Sequence, residues 1–221
     1  EQIGFDDNAK IVIMSDCHRG GGGHNDNFAK NQNIAFAALS FYYAKNFTYI
    51  ELGDGDELWE NKKQSDIIEV HSDIFWLLKK FYDRKKLFLL YGNHDMEKKY
   101  KDFAKNNYAS YYDPRADAFI PVFADIKIYE SILLRHIYTG HKLFLLHGHQ
   151  ADFLNNTLWK LSRFLVRYLW KPLESMAVND PTSAAKNYKK KTKLENCIME
   201  WTDLHKEIVI TGHTHKPHMP K

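Results

Sequence analysis

The segment Ile11-Val12-Ile13-Met14-Ser15-Asp16-Cys17-His18 joins a short apolar run to a polar turn that carries a carboxylate and an imidazole. An apolar run of this length, followed by a polar turn, indicates a buried strand. The same pattern returns four more times, after apolar runs at 49–52, 87–91, 143–146 and 208–211. The later motifs are Gly53-Asp54-Gly55-Asp56-Glu57, Gly92-Asn93-His94-Asp95, His147-Gly148-His149 and Gly212-His213-Thr214-His215. Ligands gather beyond the carboxyl ends of strands in an open α/β sheet, so we expect the five motifs to converge on one crevice.

The segments between the motifs alternate between helical and extended patterns. Apolar periodicity predicts helices over 28–45, 66–82 and 96–107, the second with Ser65 as its N-cap. Up to Asn93 this is a βαβαβ pattern, which implies parallel strands and an α/β fold. Residues 119–136 are rich in β-branched and aromatic side chains and predict two short antiparallel strands before a strand at 142–146.

Nearly sixty residues with helical character separate His149 from Ile208. Residues 152–170 carry a wide apolar face, and Pro172 is expected to end or kink that helix. A second helical stretch is predicted over 181–204. We therefore expect a single domain over 1–221 that contains a helical lid insertion at 151–204. Because strand-like sequence normally closes such a sheet, we also expect C-terminal strands beyond residue 221.

Length and composition restrict the class of protein. The 221 residues are 44% hydrophobic, which is enough for one sizeable core. A formal net charge of +3 is well below that of a dedicated nucleic-acid binder. Two cysteines argue against a disulfide framework and favour the reducing cytoplasm as the location. No stretch reaches the ~18 apolar residues that a membrane span requires.

The side chains in the five motifs are those that hard or borderline divalent cations prefer. A carboxylate just beyond a strand end, such as Asp54, can bridge two ions through its two oxygens. Taken singly, each motif is as well explained by a turn, a helix cap or a structural histidine. The occurrence of all five in order, each after a strand-like run, predicts a metal centre instead.

Together the motifs Asp-x-His, Gly-Asp, Gly-Asn-His-Asp, His and Gly-His-Thr-His resemble those of the calcineurin-like metallophosphoesterase superfamily. The resemblance covers about residues 11–215. It implies a β-sandwich of two sheets flanked by helices, with a dinuclear metal centre. The implied ligands of one ion are Asp16, His18, Asp54 and His215, and those of the other are Asp54, Asn93, His147 and His213.

The same resemblance gives His94 a catalytic role beside the leaving-group oxygen, with Asp95 orienting its ring. A hydrogen bond from Asp95 to local backbone is an equal alternative. The implied cofactors are two divalent ions, with manganese expected first and iron, zinc or cobalt as alternatives. Two such ions can clamp both oxygens of a phosphoryl displacement and acidify water. The expected reaction is hydrolysis of a phosphate ester or pyrophosphate bond by a metal-bound hydroxide.

A closer resemblance involves Gly53-Asp54-Gly55-Asp56-Glu57-Leu58-Trp59, which is similar to the Gly-Asp-x-x-Glu-x-Trp of the UDP-2,3-diacylglucosamine hydrolases. That family also carries a helical insert before its last histidine motif. It implies a small-molecule substrate, a nucleotide conjugate linked through pyrophosphate. Two positions depart from the family, which usually has Arg at His94 and Asp at His149.

Several alternatives stay open at this point. A nucleic-acid or cyclic-nucleotide phosphodiesterase fits the same motifs, as does a non-catalytic metal-bound scaffold. The apolar face of 153–170 is either core or a peripheral membrane contact. Asp56 and Glu57 either orient ligating histidines or form an exposed acidic loop. The candidate substrate contacts are His149, Arg163 and Arg167, and for the two arginines a solvated basic face is the alternative.

Overall fold

The computed structural model describes residues 1–23, 26–113, 116–151, 160, 163 and 188–215. Ten strands lie within these ranges, most of them four to six residues long. They are Gln2–Phe5 (β1), Ile11–Met14 (β2), Thr48–Leu52 (β3), Leu87–Leu90 (β4), Ser110–Asp113 (β5), Ala118–Pro121 (β6), Ile128–Tyr129 (β7), Ser131–His136 (β8), Lys142–Leu146 (β9) and Ile208–Ile210 (β10).

The strands form two four-stranded sheets and one separate hairpin. The first sheet has the order β2-β3-β4-β7, and all of its pairs are parallel. The second has the order β1-β8-β9-β10, in which only the β8–β9 pair is antiparallel. Strands β5 and β6 form the hairpin. The expected α/β fold with two sheets is therefore confirmed.

The side chains of β3 point alternately to the two faces of its sheet, and this explains how the two sheets and the helices pack together. Ile50 and Leu52 are buried in a cluster with Ile132, Leu134 and other side chains of the second sheet. Tyr49, one residue earlier, belongs instead to the core that contains the helices. Successive side chains of a strand point to opposite faces, so β3 separates an inter-sheet core from a sheet–helix core.

Five α-helices lie within the described ranges. They are Gln32–Ala44 (α1), Gln64–Val70 (α2), Ser72–Asp83 (α3), Phe103–Asn107 (α4) and Tyr188–His205 (α5). Three short 3-10 helices span Ala29–Asn31, Met96–Lys99 and His149–Ala151. The buried side chains of α3 recur at helical spacing, which places one face of this helix against the first sheet.

The helix predicted over 66–82 is two helices, and His71 separates them with φ −107° and ψ 35°. Both nitrogens of the buried His71 ring are engaged, Nδ1 with Gln32 Oε1 and Nε2 with Asp26 Oδ2, each at 2.8 Å. These contacts hold the His71 ring against Asp26, which also accepts the Gly22 N–H at 2.9 Å, and they account for the break. Ser65 is not the N-cap, because α2 begins at Gln64 and Lys63 is the residue before it; the Ser65 hydroxyl contacts Asp66.

Other predicted bounds also change. The helix predicted over 96–107 is a 3-10 turn followed by the five residues of α4. Residues 119–136 contribute to three strands, β6, β7 and β8, rather than to one antiparallel pair. Each of these three strands pairs in a different sheet, so local pattern alone could not assign their partners.

The predicted lid insertion at 151–204 is described in part. Helix α5 covers its last third, whereas most of 152–187 lies outside the described residues. The lid therefore stays a prediction, as does the apolar face of 153–170. Within the described ranges, no helix combines the length and the apolarity needed to cross a membrane.

Candidate metal centre

The carboxyl ends of β2, β3 and β4 lie side by side, because the three strands are parallel and in register. Beyond the strands, the Asp16 N–H donates to the Gly53 carbonyl at 3.1 Å. The His18 N–H donates to the Asp54 carbonyl at 2.9 Å. The two polar motifs therefore run alongside each other as an extension of the sheet. This pairing brings Asp16, His18 and Asp54 to one edge.

The second sheet delivers the remaining histidines to the same edge. Strands β9 and β10 are parallel, and the Gly212 N–H donates to the His147 carbonyl at 3.0 Å. The His213 N–H then donates to both carboxylate oxygens of Asp16, at 3.0 and 3.1 Å. This contact joins the two sheets directly at the predicted centre.

Five of the seven predicted metal ligands have a left-handed backbone, with φ between 48° and 71°. They are Asp16, His18, Asp54, His213 and His215. A non-glycine residue in this region costs on the order of 1–3 kcal/mol and concentrates at functional sites. The residue types in these motifs are therefore set by side-chain chemistry rather than by backbone preference.

Glycines beside the ligands permit close approach. Gly53 has φ 88°, and a Cβ there would stand 2.7 Å from His147 Nδ1. A Cβ at Gly92 would overlap the Asp54 carboxylate. Glycine at both positions lets Asp54 and His147 approach each other across the junction of the two sheets.

One group of donor atoms contains Asp16, His18 and His215, all within 4.8 Å of one another. His215 Nε2 lies 3.1 Å from Asp16 Oδ1, and His18 Nε2 lies 3.3 Å from His215 Nε2. Asp54 Oδ2 is 3.8 Å from His18 Nε2. Two imidazole nitrogens and two carboxylates thus surround one point.

A second group contains Asp54, His147 and His213, again within 4.8 Å of one another. His147 Nδ1 donates to the Leu52 carbonyl at 2.9 Å, which directs Nε2 towards Asp54 Oδ2 at 3.1 Å. Asn93 Oδ1 is buried and has no hydrogen-bond partner among the residues that the structure describes. A buried carbonyl oxygen without a donor is costly, so this atom fits a cation ligand.

The charges at this edge stabilise one another. Burial disfavours an ionised carboxylate, but the hydrogen bond with His215 and the charge of His147 lower the pKa of Asp16 to about 2. Burial likewise disfavours a charged imidazole, yet Asp54 and Asp16 raise the pKa of His147 to about 9. The carboxylates thus create a negative potential that favours cations at this edge.

His94 is oriented by Glu57 rather than by Asp95. Glu57 Oε2 lies 2.7 Å from His94 Nδ1, and the same carboxylate oxygen lies 2.9 Å from His18 Nδ1. Trp59 stacks on the His94 ring, with centroids 4.3 Å apart and planes 23° apart. Glu57 therefore connects the candidate catalytic histidine to a candidate ligand.

Asp95 has a different role from the one predicted. Its Oδ1 accepts the Gly92 N–H at 2.7 Å, and its Oδ2 accepts the Gly55 N–H at 3.1 Å. Lys98 Nζ lies 2.7 Å from the same Oδ2. We therefore reassign the orientation of His94 from Asp95 to Glu57. Asp95 instead fixes the backbone of two motifs, in line with the alternative of a local hydrogen bond.

A buried ionic network lies directly behind the site. Arg19 forms a bidentate pair with Glu51 at 2.7 and 2.8 Å, and its Nε donates to Asp56 at 2.7 Å. Lys98 Nζ contacts Asp56 at 2.8 Å as well as Asp95. All five side chains belong to residues that are at most 2% exposed. Asp56 is therefore part of this network and neither an exposed loop residue nor a histidine partner.

The network was not predicted, although the sequence contains one indication of it. Glu51 falls inside the apolar run of β3, where a buried carboxylate needs a cationic partner. Its partner Arg19 directly follows the ligand candidate His18. Nothing in the local pattern indicated that Lys98 would be buried.

The three predicted substrate contacts have different outcomes. His149 is 1% exposed, and its ring centroid lies 5.5 Å from that of His147 and 6.0 Å from that of Tyr91. It is thus close to the second donor group. Arg163 forms an ion pair with Glu97, just after the Gly-Asn-His-Asp motif. Arg167 lies outside the described residues.

Comparison with known proteins gives a family match that spans the site. The family model of the calcineurin-like phosphoesterases matches residues 9–217, a range that includes all five motifs. A solved structure from Streptococcus pneumoniae TIGR4, a conserved uncharacterized protein described as a predicted phosphoesterase, is 15% identical with a TM-score of 0.26. That match covers 70% of this chain and 53% of that chain, so this chain spans about half of its length. No curated protein matches the chain.

Proposed function

Because the chain belongs to the calcineurin-like phosphoesterase family, we propose that it is a metal-dependent phosphohydrolase that cleaves a phosphate ester or pyrophosphate bond at a centre of two divalent cations. The observation that carries this proposal is a pair of neighbouring groups of donor atoms. One contains Asp16, His18 and His215, and the other contains Asp54, His147 and His213. Both groups lie where the two sheets meet, at the carboxyl ends of their strands.

We assign the predicted ligands to two neighbouring ions that share Asp54. One ion takes Asp16, His18, Asp54 and His215, and the other takes Asp54, Asn93, His147 and His213. The donor set fits, since carboxylate, imidazole and amide oxygens suit manganese, iron, cobalt or zinc. The partnerless Asn93 Oδ1 supports the second position within the described part of the chain. Manganese is our first choice among these metals.

Bound cations supply acidification of water and positive charge for the phosphoryl oxygens. The protein's own side chains provide charged and correctly oriented ligand atoms. Asp16 and Asp54 keep their carboxylates ionised, because nearby histidines lower the pKa of both despite burial. The hydrogen bond from His147 Nδ1 to the Leu52 carbonyl orients the ring, so that Nε2 is the nitrogen that faces the proposed centre.

We propose His94 as the group that protonates the leaving oxygen. Burial disfavours its imidazolium form, but the Glu57 and Asp54 carboxylates outweigh burial and raise the pKa of His94 to about 10. The ring is held between Glu57 and the face of Trp59. A protonated histidine fixed in this way can donate a proton at neutral pH.

For the substrate we propose a pyrophosphate-linked nucleotide conjugate, as in the UDP-2,3-diacylglucosamine hydrolases. The support is the sequence from Gly53 to Trp59 together with the insertion before the last histidine motif. Trp59 is only 2% exposed and packs on His94, so it positions the His94 ring rather than contacting the substrate. His149 and Arg163 remain candidate phosphate contacts, and Arg163 must first leave Glu97 to act as one.

We also propose a cytoplasmic location. The support is that both cysteines, Cys17 and Cys197, are free thiols. Burial is the main reason that the pKa of the Cys17 thiol rises to about 12, so this thiol is unreactive despite lying between two candidate ligands.

A parallel assay tests the proposed reaction. We expect the manganese-loaded protein to hydrolyse bis-p-nitrophenyl phosphate, and chelation followed by desalting to remove this activity. Re-addition of manganese should restore most of the rate. p-Nitrophenyl phosphate is measured alongside, and cleavage of this monoester alone would contradict the proposed pyrophosphate-linked nucleotide conjugate as substrate. Absence of cleavage of either ester, with two metals bound per chain, would favour the scaffold alternative.

Replacing Glu57 with Gln tests the assigned role of His94. The carboxylate raises the pKa of His94, so its removal lets His94 lose its proton at lower pH. We expect the alkaline limb of the kcat profile to move down by about one unit or more, since a charged hydrogen bond is worth ~1.5–3 kcal/mol. Glu69→Gln on the exposed surface of α2 is the matched control. An unchanged alkaline limb in Glu57→Gln would exclude His94 as the titrating acid.

A further inference from the structure

A cavity of about 670 Å³ opens at the end of the sheets opposite the metal centre. Its lining includes the first residues of β2 and β3, whereas the candidate ligands follow the last residues of the same strands. A strand rises ~3.3 Å per residue, so a strand length of about 13–17 Å separates the cavity from the centre. The cavity is therefore distinct from the phosphoesterase site.

The floor of this cavity is apolar and lies between the two sheets. Ile11, Ile50 and Phe88 come from the first sheet, and Ile3 and Leu134 come from the second. These side chains belong to the inter-sheet core, yet Ile3, Ile11 and Phe88 are only partly buried. The core is thus open at this end, with a volume typical of small-ligand sites, ~300–1,000 Å³.

The rim of the cavity is basic. Five of its lining residues are cationic and none is acidic; they are Lys10, Lys45, Arg84, Lys85 and Lys86. Lys86 Nζ is held by the Asn46 carbonyl at 2.8 Å, and Arg84 lies over the Tyr43 ring. The side chains of Lys10, Lys45 and Lys85 have no hydrogen-bond or ion-pair partner within the described part of the chain. Unpaired cations around an apolar opening attract anions.

We propose that this basic-rimmed cavity binds a single-chain anionic amphiphile. Its alkyl chain enters between the sheets against Ile11, Ile50 and Phe88, and its head group lies against Lys45 and Lys85. Charge complementarity selects the head group, while removal of the alkyl chain from water stabilises the complex in proportion to the length that is buried. A free inorganic anion would have the rim alone and would leave the apolar floor uncovered.

The test uses 1-dodecanesulfonate, which contains no hydrolysable phosphoester, below its micelle concentration. Titration calorimetry of the metal-loaded protein is expected to show saturable one-to-one binding. The Lys45→Glu, Lys85→Glu double variant should weaken binding at least tenfold, while its phosphoesterase rate stays unchanged. The matched control is the Lys105→Glu, Lys127→Glu double variant, which changes the same charge elsewhere and should bind within twofold of the wild type.

Two further probes test the contributions of the head group and of the alkyl chain separately. Sodium methanesulfonate tests the head group alone, and dodecyl maltoside tests the chain with a neutral head group. The proposal predicts binding of neither at the concentration where the sulfonate saturates. Equal binding of the maltoside, or displacement by methanesulfonate at equal concentration, would overturn it. So would full sulfonate binding by the Lys45→Glu, Lys85→Glu variant, since the two lysines would then serve only the C-terminal ends of α1 and α3.

Discussion

Replacing Asp54 with Asn is expected to lower turnover of a phosphodiester by well over ~100-fold, because loss of even an outer partner of a metal ligand costs ~10–100-fold. Asp54 lies 3.1 Å from His147 Nε2 and 3.8 Å from His18 Nε2, so it faces both donor groups. Asparagine keeps the shape of the side chain but has a single oxygen and no charge. Bound metal per chain, measured by elemental analysis, should fall together with kcat.

The controls for this experiment separate bridging from folding. In Asp54→Asn, the carbonyl oxygen of the introduced amide can still accept the His94 N–H, which Asp54 Oδ1 accepts at 2.8 Å, so the loop should be preserved. Asp83→Asn, at the exposed end of α3, removes the same charge without touching the centre. Two metals per chain in Asp54→Asn, with a rate within threefold of the wild type, would contradict the bridging role.

Replacing Lys98 with Met is expected to lower the free energy of unfolding by about 3–5 kcal/mol, the usual cost of removing one partner from a buried ion pair. Lys98 is 2% exposed, and its ammonium lies between Asp56 and Asp95 at 2.8 and 2.7 Å. Methionine fills much of the same volume but leaves Asp56 with the Arg19 guanidinium and removes the ammonium from Asp95. Chemical denaturation, monitored by circular dichroism, measures the difference in the free energy of unfolding between the variant and the wild type.

Lys79→Met is the matched control, because Lys79 pairs with Asp83 at the surface of α3. An exposed pair is worth ~0–1 kcal/mol, so this variant should unfold at nearly the wild-type midpoint. Equal midpoints for Lys98→Met and Lys79→Met would show that the buried network does not stabilise the fold.

We expect the loss of unfolding free energy caused by Lys98→Met to be smaller at acidic pH. Burial opposes ionisation of Asp56, but Arg19 and Lys98 together lower its pKa well below the usual value. A carboxyl with a lowered pKa stabilises the native state above its unfolded pKa, ~3.9, and this stability is lost as the pH falls through the folded pKa. Protonation of Asp56 removes the uncompensated charge in the variant, so the penalty should shrink in acid.

Much of the centre was predictable because its chemistry is local to strand ends. Each motif follows a short apolar run, and parallel strands bring such ends to one edge. The structure brings Asp16, His18 and His215 into one group of donor atoms and Asp54, His147 and His213 into another, whereas their assignment to two ions stays a proposal. The two-sheet α/β fold follows from the same strands and from the family to which the chain belongs.

What the sequence did not predict depends on contacts between distant segments. The carboxylate on His94 comes from position 57, 37 residues away, whereas Asp95 was the nearest acid in the chain. The break at His71 depends on Gln32 and Asp26, 39 and 45 residues away. In the first case a tertiary hydrogen bond took the place of a contact with the nearest acidic residue, and in the second it interrupted the helical periodicity. Both hydrogen bonds join residues that are far apart in the sequence, so a short stretch of sequence cannot predict them.

The contact of His213 with Asp16 spans 197 residues, nearly the whole chain. Loop-closure entropy makes such a distant contact slow to form, so we expect the centre to be completed late in folding. A cation held there acts as a late cross-link between the two ends of the fold. It stabilises the native state by mass action, in proportion to RT ln(1 + [L]/Kd), without accelerating the earlier steps. Metal supply would then govern how long the folded protein persists rather than how quickly it forms.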